Sequence, residues 1–255
     1  MESPEEQLPA AGRHCIHCHL SIAEEAMFCS HCGLLQDAAN AEQRQNRLFL
    51  LAVFFGIHLT VCLISNFSPA AHSLIPLFMF DGVLSVVTII YATILRKELL
   101  HLFRWAHFSV LKVLIYGSAA IAAAVLVNVS VKWLNRTIFD SESYYYYAFS
   151  HLKYAKLVTV LMVGLQPAIF EELAFRGVLQ QGLNKVVDTK QAIFISAFLF
   201  ALLHMSFISF FWLLPFALCL GYIRVKEDTL WYGVIIHFCF NTTACFLEFF
   251  ELNLF

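Results

Sequence analysis

Seven stretches of this 255-residue chain are apolar for long enough to cross, or nearly cross, a lipid bilayer, and that leaves few folds open. A hydrocarbon core of about 30 Å takes roughly 20 helical residues. Windows of that kind fall at 48–67, 74–95, 110–131 and 155–181, followed by 191–207, 209–225 and 230–250. The runs are continuously apolar instead of alternating with period two, which argues against a β-barrel. The fold expected is therefore all-α, a polytopic transmembrane helical bundle of about seven spans. The fifth and sixth runs are parted by almost nothing around Ser206 and Ser209, so they read as a tight hairpin. Composition agrees, with 60% hydrophobic and only 13% charged residues. A net charge of −2, with no run of Lys or Arg, offers no surface for nucleic acid, and none is expected as a partner.

The first residues, MESPEEQ, are acidic and polar, unlike the positive, early-apolar start of a cleavable signal, so the first run is expected to stay as an anchor. Basic residues next to spans are retained in the cytoplasm. With the N-terminus inside, Arg44, Arg47, Arg96, Lys97, Arg104, Lys112, Lys185, Lys190, Arg224 and Lys226 are cytoplasmic. Lys132, Arg136, Lys153 and Lys156 then fall outside, in a loop that also carries Asp140 and Glu142. The bias favours a cytoplasmic N-terminus. Tyr144 to Tyr147 in that outer loop read as an interfacial aromatic belt. The organisation expected is a ribbon over 1–36, a polar linker over 37–47, N-terminal spans and outer loop over 48–154, and a core over 155–250.

Ahead of the first span, HCIHCHLSIAEEAMFCSHCG places Cys15 and Cys18, then Cys29 and Cys32, as two Cys-x2-Cys pairs. Two such knuckles bring four thiolates around one tetrahedral Zn²⁺, and Gly33 permits the turn after the second pair. So short a segment buries too little apolar surface to fold unaided, so a structural zinc is expected. The rival, a pair of disulfides, needs an oxidising compartment, which the charge bias argues against. A closed site of this kind does no chemistry. It serves a small interaction module, with a cytoplasmic protein as the partner to be expected.

Ionisable side chains at bilayer depth cost about 2.5 to 3.5 kcal/mol each on insertion scales, so they need partners or a purpose. The fourth run contains QPAIFEELAFRG, in which Glu172 and Arg176 share a helical face and can pair, while Glu171 points elsewhere. Pro167, four residues before Glu171, removes a backbone donor and exposes a carbonyl, favouring a kink and a wet cavity. The fifth run ends in FLFALLH at His204, and the seventh holds HFCFN, with His237 and Asn241 on one face. Each alone could be helix-bridging glue. Counted at about 1.5 Å per residue from the cytoplasmic ends, Glu171 lies roughly 15 Å deep, His204 roughly 20 Å and His237 roughly 12 Å, so the three can meet.

EExxxR, FxxxH and HxxxN, in that order on successive apolar helices, resemble the CAAX protease and bacteriocin-processing family, which includes the Ras-converting-enzyme type of intramembrane endopeptidase. The resemblance covers about 155–245. It implies hydrolysis of a peptide bond in a membrane-embedded peptide or protein, with Glu171 as general base, His204 polarising the water, His237 and Asn241 donating to the oxyanion, and Glu172 and Arg176 in support. Two histidines and a glutamate are also a catalytic zinc set. The absence of an HExxH helix and the presence of Glu172, Arg176 and Asn241 favour a metal-free, glutamate-activated water. A proton or ion pathway and a non-catalytic scaffold are the readings from other classes. The ribbon resembles those on bacterial membrane proteins, so the address expected is a bacterial inner membrane, with the endoplasmic reticulum as alternative.

Overall fold

The computed structural model describes residues 13–23, 26, 28–34, 36, 38–68, 74–105, 108–139 and 144–253. Residues 1–12 of the expected ribbon, and Asp140 and Glu142 of the outer loop, lie outside these. The chain divides into two units, Met1–Leu50 and Leu51–Phe255.

In the first unit, two near-identical turns face each other. The N–H groups of His17 and Cys18 donate to Cys15 Sγ (both 3.3 Å), and those of His31 and Cys32 to Cys29 Sγ (3.3 and 3.4 Å). The Cys15 and Cys29 amides donate to Leu20 and Leu34 carbonyls, each 2.9 Å away. Each turn closes through a left-handed residue at the same position, Gly33 (φ 72) in the second and His19 (φ 60) in the first. Only Gly33 carried a sequence signal for this. His19 adopts the same backbone at the modest cost a non-glycine residue pays there. Cys15, Ile22 and Cys29 are the small buried cluster between the turns.

Helix α1 runs over Ala38–Phe67, so the polar stretch expected as a linker is helical from Ala38 onward. There follow α2 (Leu74–Ile94), the short α3 (Arg96–Leu99), α4 (Val110–Leu134), α5 (Tyr145–Phe149), α6 (Ala155–Leu183), α7 (Thr189–Leu203), α8 (Phe207–Glu227) and α9 (Trp231–Glu251). Six of these helices are long and apolar enough to cross a membrane. The exception among the expected spans is α7: at 15 residues it reaches about 22 Å, short of the bilayer core. The physical reason is local. Asp188 caps its start through Gln191 N–H (3.0 Å), and the chain turns at His204 and at Met205 (φ 50). Ser206 then caps α8 by accepting from Ser209 N–H (3.3 Å), which completes the expected hairpin.

Large apolar side chains point outward along the long helices, as on Leu111, Leu126 and Phe211, where lipid takes the place of water. Inside, α4, α8 and α9 close on Ala120, Ala124, Leu220, Ile223, Tyr232, Ile236 and Phe240. Small residues on α4 let α9 approach closely. At one end of this packing, buried Glu227 accepts from Lys112 Nζ (2.5 Å) and Tyr116 Oη (2.8 Å). At the other, buried Glu248 accepts from the N–H groups of Tyr145 and Tyr146 (3.1 and 2.6 Å), and the Tyr146 ring packs on Phe249 (5.8 Å). The tyrosine cluster is thus docked against α9 through α5. Replacing Glu227 with Ala should release α4 from α8, lowering stability by about 1–3 kcal/mol, read as a fall in thermal midpoint in detergent with the helical signal retained.

Candidate active site

Helix α6 is not a uniform α-helix. It widens to π-helical turns at Val160–Leu165 and Glu172–Leu179, with an α-helical segment, Gln166–Glu171, between them. Pro167 explains the first departure. It has no N–H to give the carbonyl four residues back, Val163, and that carbonyl accepts instead from Asn241 Nδ2 on α9 (2.9 Å). A backbone group that lipid could not have satisfied is bound by a side chain from another helix.

The second π-helical stretch carries the buried ion pair. Glu172 and Arg176 are essentially inaccessible, with side-chain exposures of 0% and 1%, and Arg176 Nη1 donates to Glu172 Oε1 at 2.9 Å. Arg176 also donates to the Ala217 carbonyl on α8 (3.2 Å) and lies over the Phe200 ring of α7 (4.6 Å). From α9, His237 Nδ1 donates to the same Glu172 oxygen at 3.0 Å. An imidazole held through Nδ1 by a carboxylate presents Nε2 in a fixed direction. Here Nε2 faces Glu171 Oε2 at 3.7 Å. Gly233, one turn before His237, makes room: a Cβ there would stand 2.7 Å from Glu172 Oε2.

Glu171 sits differently from Glu172. Its side chain is 35% exposed and borders a cavity of about 430 Å³. His204, at the end of α7, borders the same cavity. Its Nδ1 bonds the Phe200 carbonyl (3.0 Å), which leaves Nε2 to face the space. All six polar residues expected from sequence are therefore placed by α6, α7 and α9. Glu171 and His204 reach the cavity, His237 stands behind Glu171, and Glu172, Arg176 and Asn241 hold the others. Asn241 departs from expectation in that one amide hydrogen is committed to the helix backbone.

Two kinds of residue carried roles that the sequence motifs do not show. Phe200 enters the motifs only as part of a spacing, yet its ring lies under Arg176 and edge-on to His237 (6.2 Å) while its carbonyl orients His204. The far wall of the cavity is also polar, with His58 from α1 and Asp81 and Thr88 from α2. Asp81, a carboxylate within an apolar run, carried a readable signal.

The four N-terminal cysteines are a second candidate centre. All are free thiols, with Cys15 and Cys32 Sγ 3.6 Å apart, Cys18 and Cys29 3.5 Å apart, and all four within 4.8 Å of one another. Burial raises the Cys15 thiol, but the N–H groups of Cys18 and His17 outweigh it and bring it down to about 5. The Leu20 amide lowers Cys18, yet burial and the neighbouring sulfurs push it up to about 12. Four thiols so close cannot all ionise without a cation among them, and the set can bind a metal ion.

A multi-pass helical membrane protein with a buried glutamate, histidine and arginine network is the class these features define. Residues 153–243, from the approach to α6 through most of α9, match the family model described as Type II CAAX prenyl endopeptidase Rce1-like. The match takes in all six polar site residues and leaves out α1, α2, α4 and the cysteine turns. No curated protein and no solved structure matches the chain at a significant level.

Gly233→Ala should force Glu172 away from His237 and abolish whatever activity the site supports; an unchanged activity with unchanged stability would show that this contact does not matter. Cys29→Ser should lose a metal ion that the purified wild-type chain carries at one per chain, measured by elemental mass spectrometry. Acid should release the same ion, since protons compete for the thiolates.

Proposed function

We propose that the chain is an intramembrane endopeptidase that hydrolyses a peptide bond of a membrane-associated protein or peptide by a glutamate-activated water. One observation carries the reading. The two adjacent glutamates are in opposite situations: Glu172 is locked to Arg176 and His237, whereas Glu171 borders the cavity with His204 and, among the described residues, forms no ion pair with a guanidinium.

The chemistry follows from that asymmetry. Glu171 takes a proton from a water that His204 Nε2 helps hold, and the hydroxide oxygen attacks the scissile carbonyl. His237 Nε2, backed by Glu172, and the remaining amide hydrogen of Asn241 are the donors for the tetrahedral oxyanion. The proton on Glu171 passes to the leaving amine as the C–N bond breaks. Arg176 pairs with Glu172, so that Glu172 is occupied in holding the His237 tautomer and does not serve as the base.

A metal-assisted reaction is the rival. Among the described residues, the cysteine quartet is the group of His, Cys, Asp or Glu whose ligand atoms gather within 4.8 Å; Glu171, His204 and His237 do not form such a set. His237 Nδ1 is engaged by Glu172. Both points support glutamate-activated water. Zn²⁺ is the ion that four thiolates at this spacing suit best, as a structural centre outside the reaction, in a ribbon that offers a docking point to a cytoplasmic protein. The family description makes a prenylated C-terminal CAAX peptide the first substrate to test. The domain division expected from sequence, a cytoplasmic N-terminus and a bacterial inner-membrane address belong to the same reading, with the endoplasmic reticulum as the alternative address.

Glu171→Gln, reconstituted in liposomes beside wild type, should keep its thermal midpoint and lose cleavage by at least about 10²-fold, the usual scale for a general base. Persistent cleavage would overturn the assignment, and loss of ion flux instead of cleavage would select a transport role. A Cys29→Ser variant stripped of metal should still cleave. Loss of that activity, restored by added Zn²⁺, would favour the metal route.

A further inference from the structure

The cavity that Glu171 and His204 border has a second wall, built by α1 and α2, which sets polar groups among apolar ones and lies outside the family match. Asp81 stands on that wall. Among the described residues no side chain bonds or pairs with its carboxylate; the contact it makes is through its backbone carbonyl, which accepts from Ser85 Oγ at 2.8 Å. A carboxylate within an apolar membrane-spanning helix and without a protein partner is costly, and it persists where something outside the chain meets it.

The neighbouring groups are committed elsewhere. His58, buried on the same cavity wall, has Nδ1 on the Phe54 carbonyl (3.0 Å) and Nε2 against Thr88 Oγ1 (3.3 Å). Arg176 is engaged by Glu172. The cavity is thus bordered by two carboxylates, Asp81 and Glu171, and by no lysine or arginine among the described residues. Their position relative to one another is fixed. Gln166 Nε2, on the α-helical segment that ends at Glu171, donates to Ser85 Oγ (3.0 Å), the same hydroxyl that holds the Asp81 carbonyl.

We propose that Asp81 forms a subsite that takes a basic side chain, Lys or Arg, of the peptide bound beside Glu171. The assignment rests on the peptidase function proposed above. A long aliphatic stem with a cationic tip matches what surrounds Asp81, since Leu77, Phe80 and Leu84 flank it on the cavity wall. A divalent cation matches less well, because neither Asp81 nor Glu171 belongs to a group of three or more His, Cys, Asp or Glu with ligand atoms gathered within 4.8 Å among the described residues. A peptide cation there also complements the two carboxylates that border the cavity without a lysine or arginine beside them among the described residues.

The test uses the full chain in nanodiscs with farnesylated peptides in which Lys, Gln or Glu replaces each residue flanking the scissile bond in turn. Wild type should prefer Lys at one position by at least tenfold over Gln, expressed in KM. Asp81→Asn should collapse that ratio to near one, Asp81→Glu should keep it, and Asp81→Lys should turn the preference toward Glu. A wild type indifferent to charge, or an Asp81→Asn variant that keeps the Lys preference, overturns the subsite. So does one that loses kcat equally on all three peptides, which is the behaviour of a proton donor. Binding of the same peptides, followed without turnover, separates the two readings. Lys-selective binding that depends on Asp81, in a chain that cleaves nothing, would sink the peptidase and leave the subsite. Cleavage without selectivity would do the reverse.

Discussion

A carboxylate and a guanidinium taken fully out of water are the arrangement on which this molecule depends. Each ion costs several kcal/mol to bury, and what offsets that cost is concentrated on Glu172 Oε1, which both Arg176 and His237 meet, while Glu172 Oε2 is buried without a hydrogen-bond partner among the described residues. Arg176 meets Glu172, the Ala217 carbonyl and the Phe200 ring, so one residue of α6 ties together α7 and α8. Glu172 meets His237 and so ties in α9. The network that makes the burial bearable is the same one that fixes the helices around Glu171.

The helix that carries it is irregular for a reason that lipid imposes. In water, the carbonyl left over by Pro167 would find a solvent partner; in a bilayer it has none unless the protein supplies one. Asn241 supplies it, and in doing so sets the depth and rotation of α9 against α6. The His237 on the turn before Asn241 then arrives opposite both glutamates. A defect in one helix and a polar side chain on another are two halves of one device.

The cavity draws its walls from the two parts of the membrane unit unequally. The segment that matches the Rce1-like family contributes Glu171 and His204, and α1 and α2 contribute His58, Asp81 and Thr88. On the peptidase reading proposed above, candidate reactive groups on one side and a separate set of helices on the other suit a division between chemistry and recognition. The cysteine turns form a unit of their own, held by N–H to sulfur bonds and, as we propose, by a zinc ion.

The residue order alone determined the helical membrane class, the position of every long span, the hairpin at Ser206 and the four cysteines that could hold a metal ion, and it singled out the six polar residues as candidates, because apolar length and misplaced charge are one-dimensional signals that survive without coordinates. One of the seven apolar elements is shorter than the sequence suggested: α7 stops at His204, and only the capped turn through Met205 and Ser206 reveals that. Which glutamate is locked and which faces the cavity was half legible, since the spacing paired Glu172 with Arg176 but said nothing of His237 Nδ1. Asp81 lies in no motif, and Phe200 enters one only as the first letter of a spacing. Their roles come from what stands across from them, and neighbours supplied by distant segments are fixed only when the helices pack.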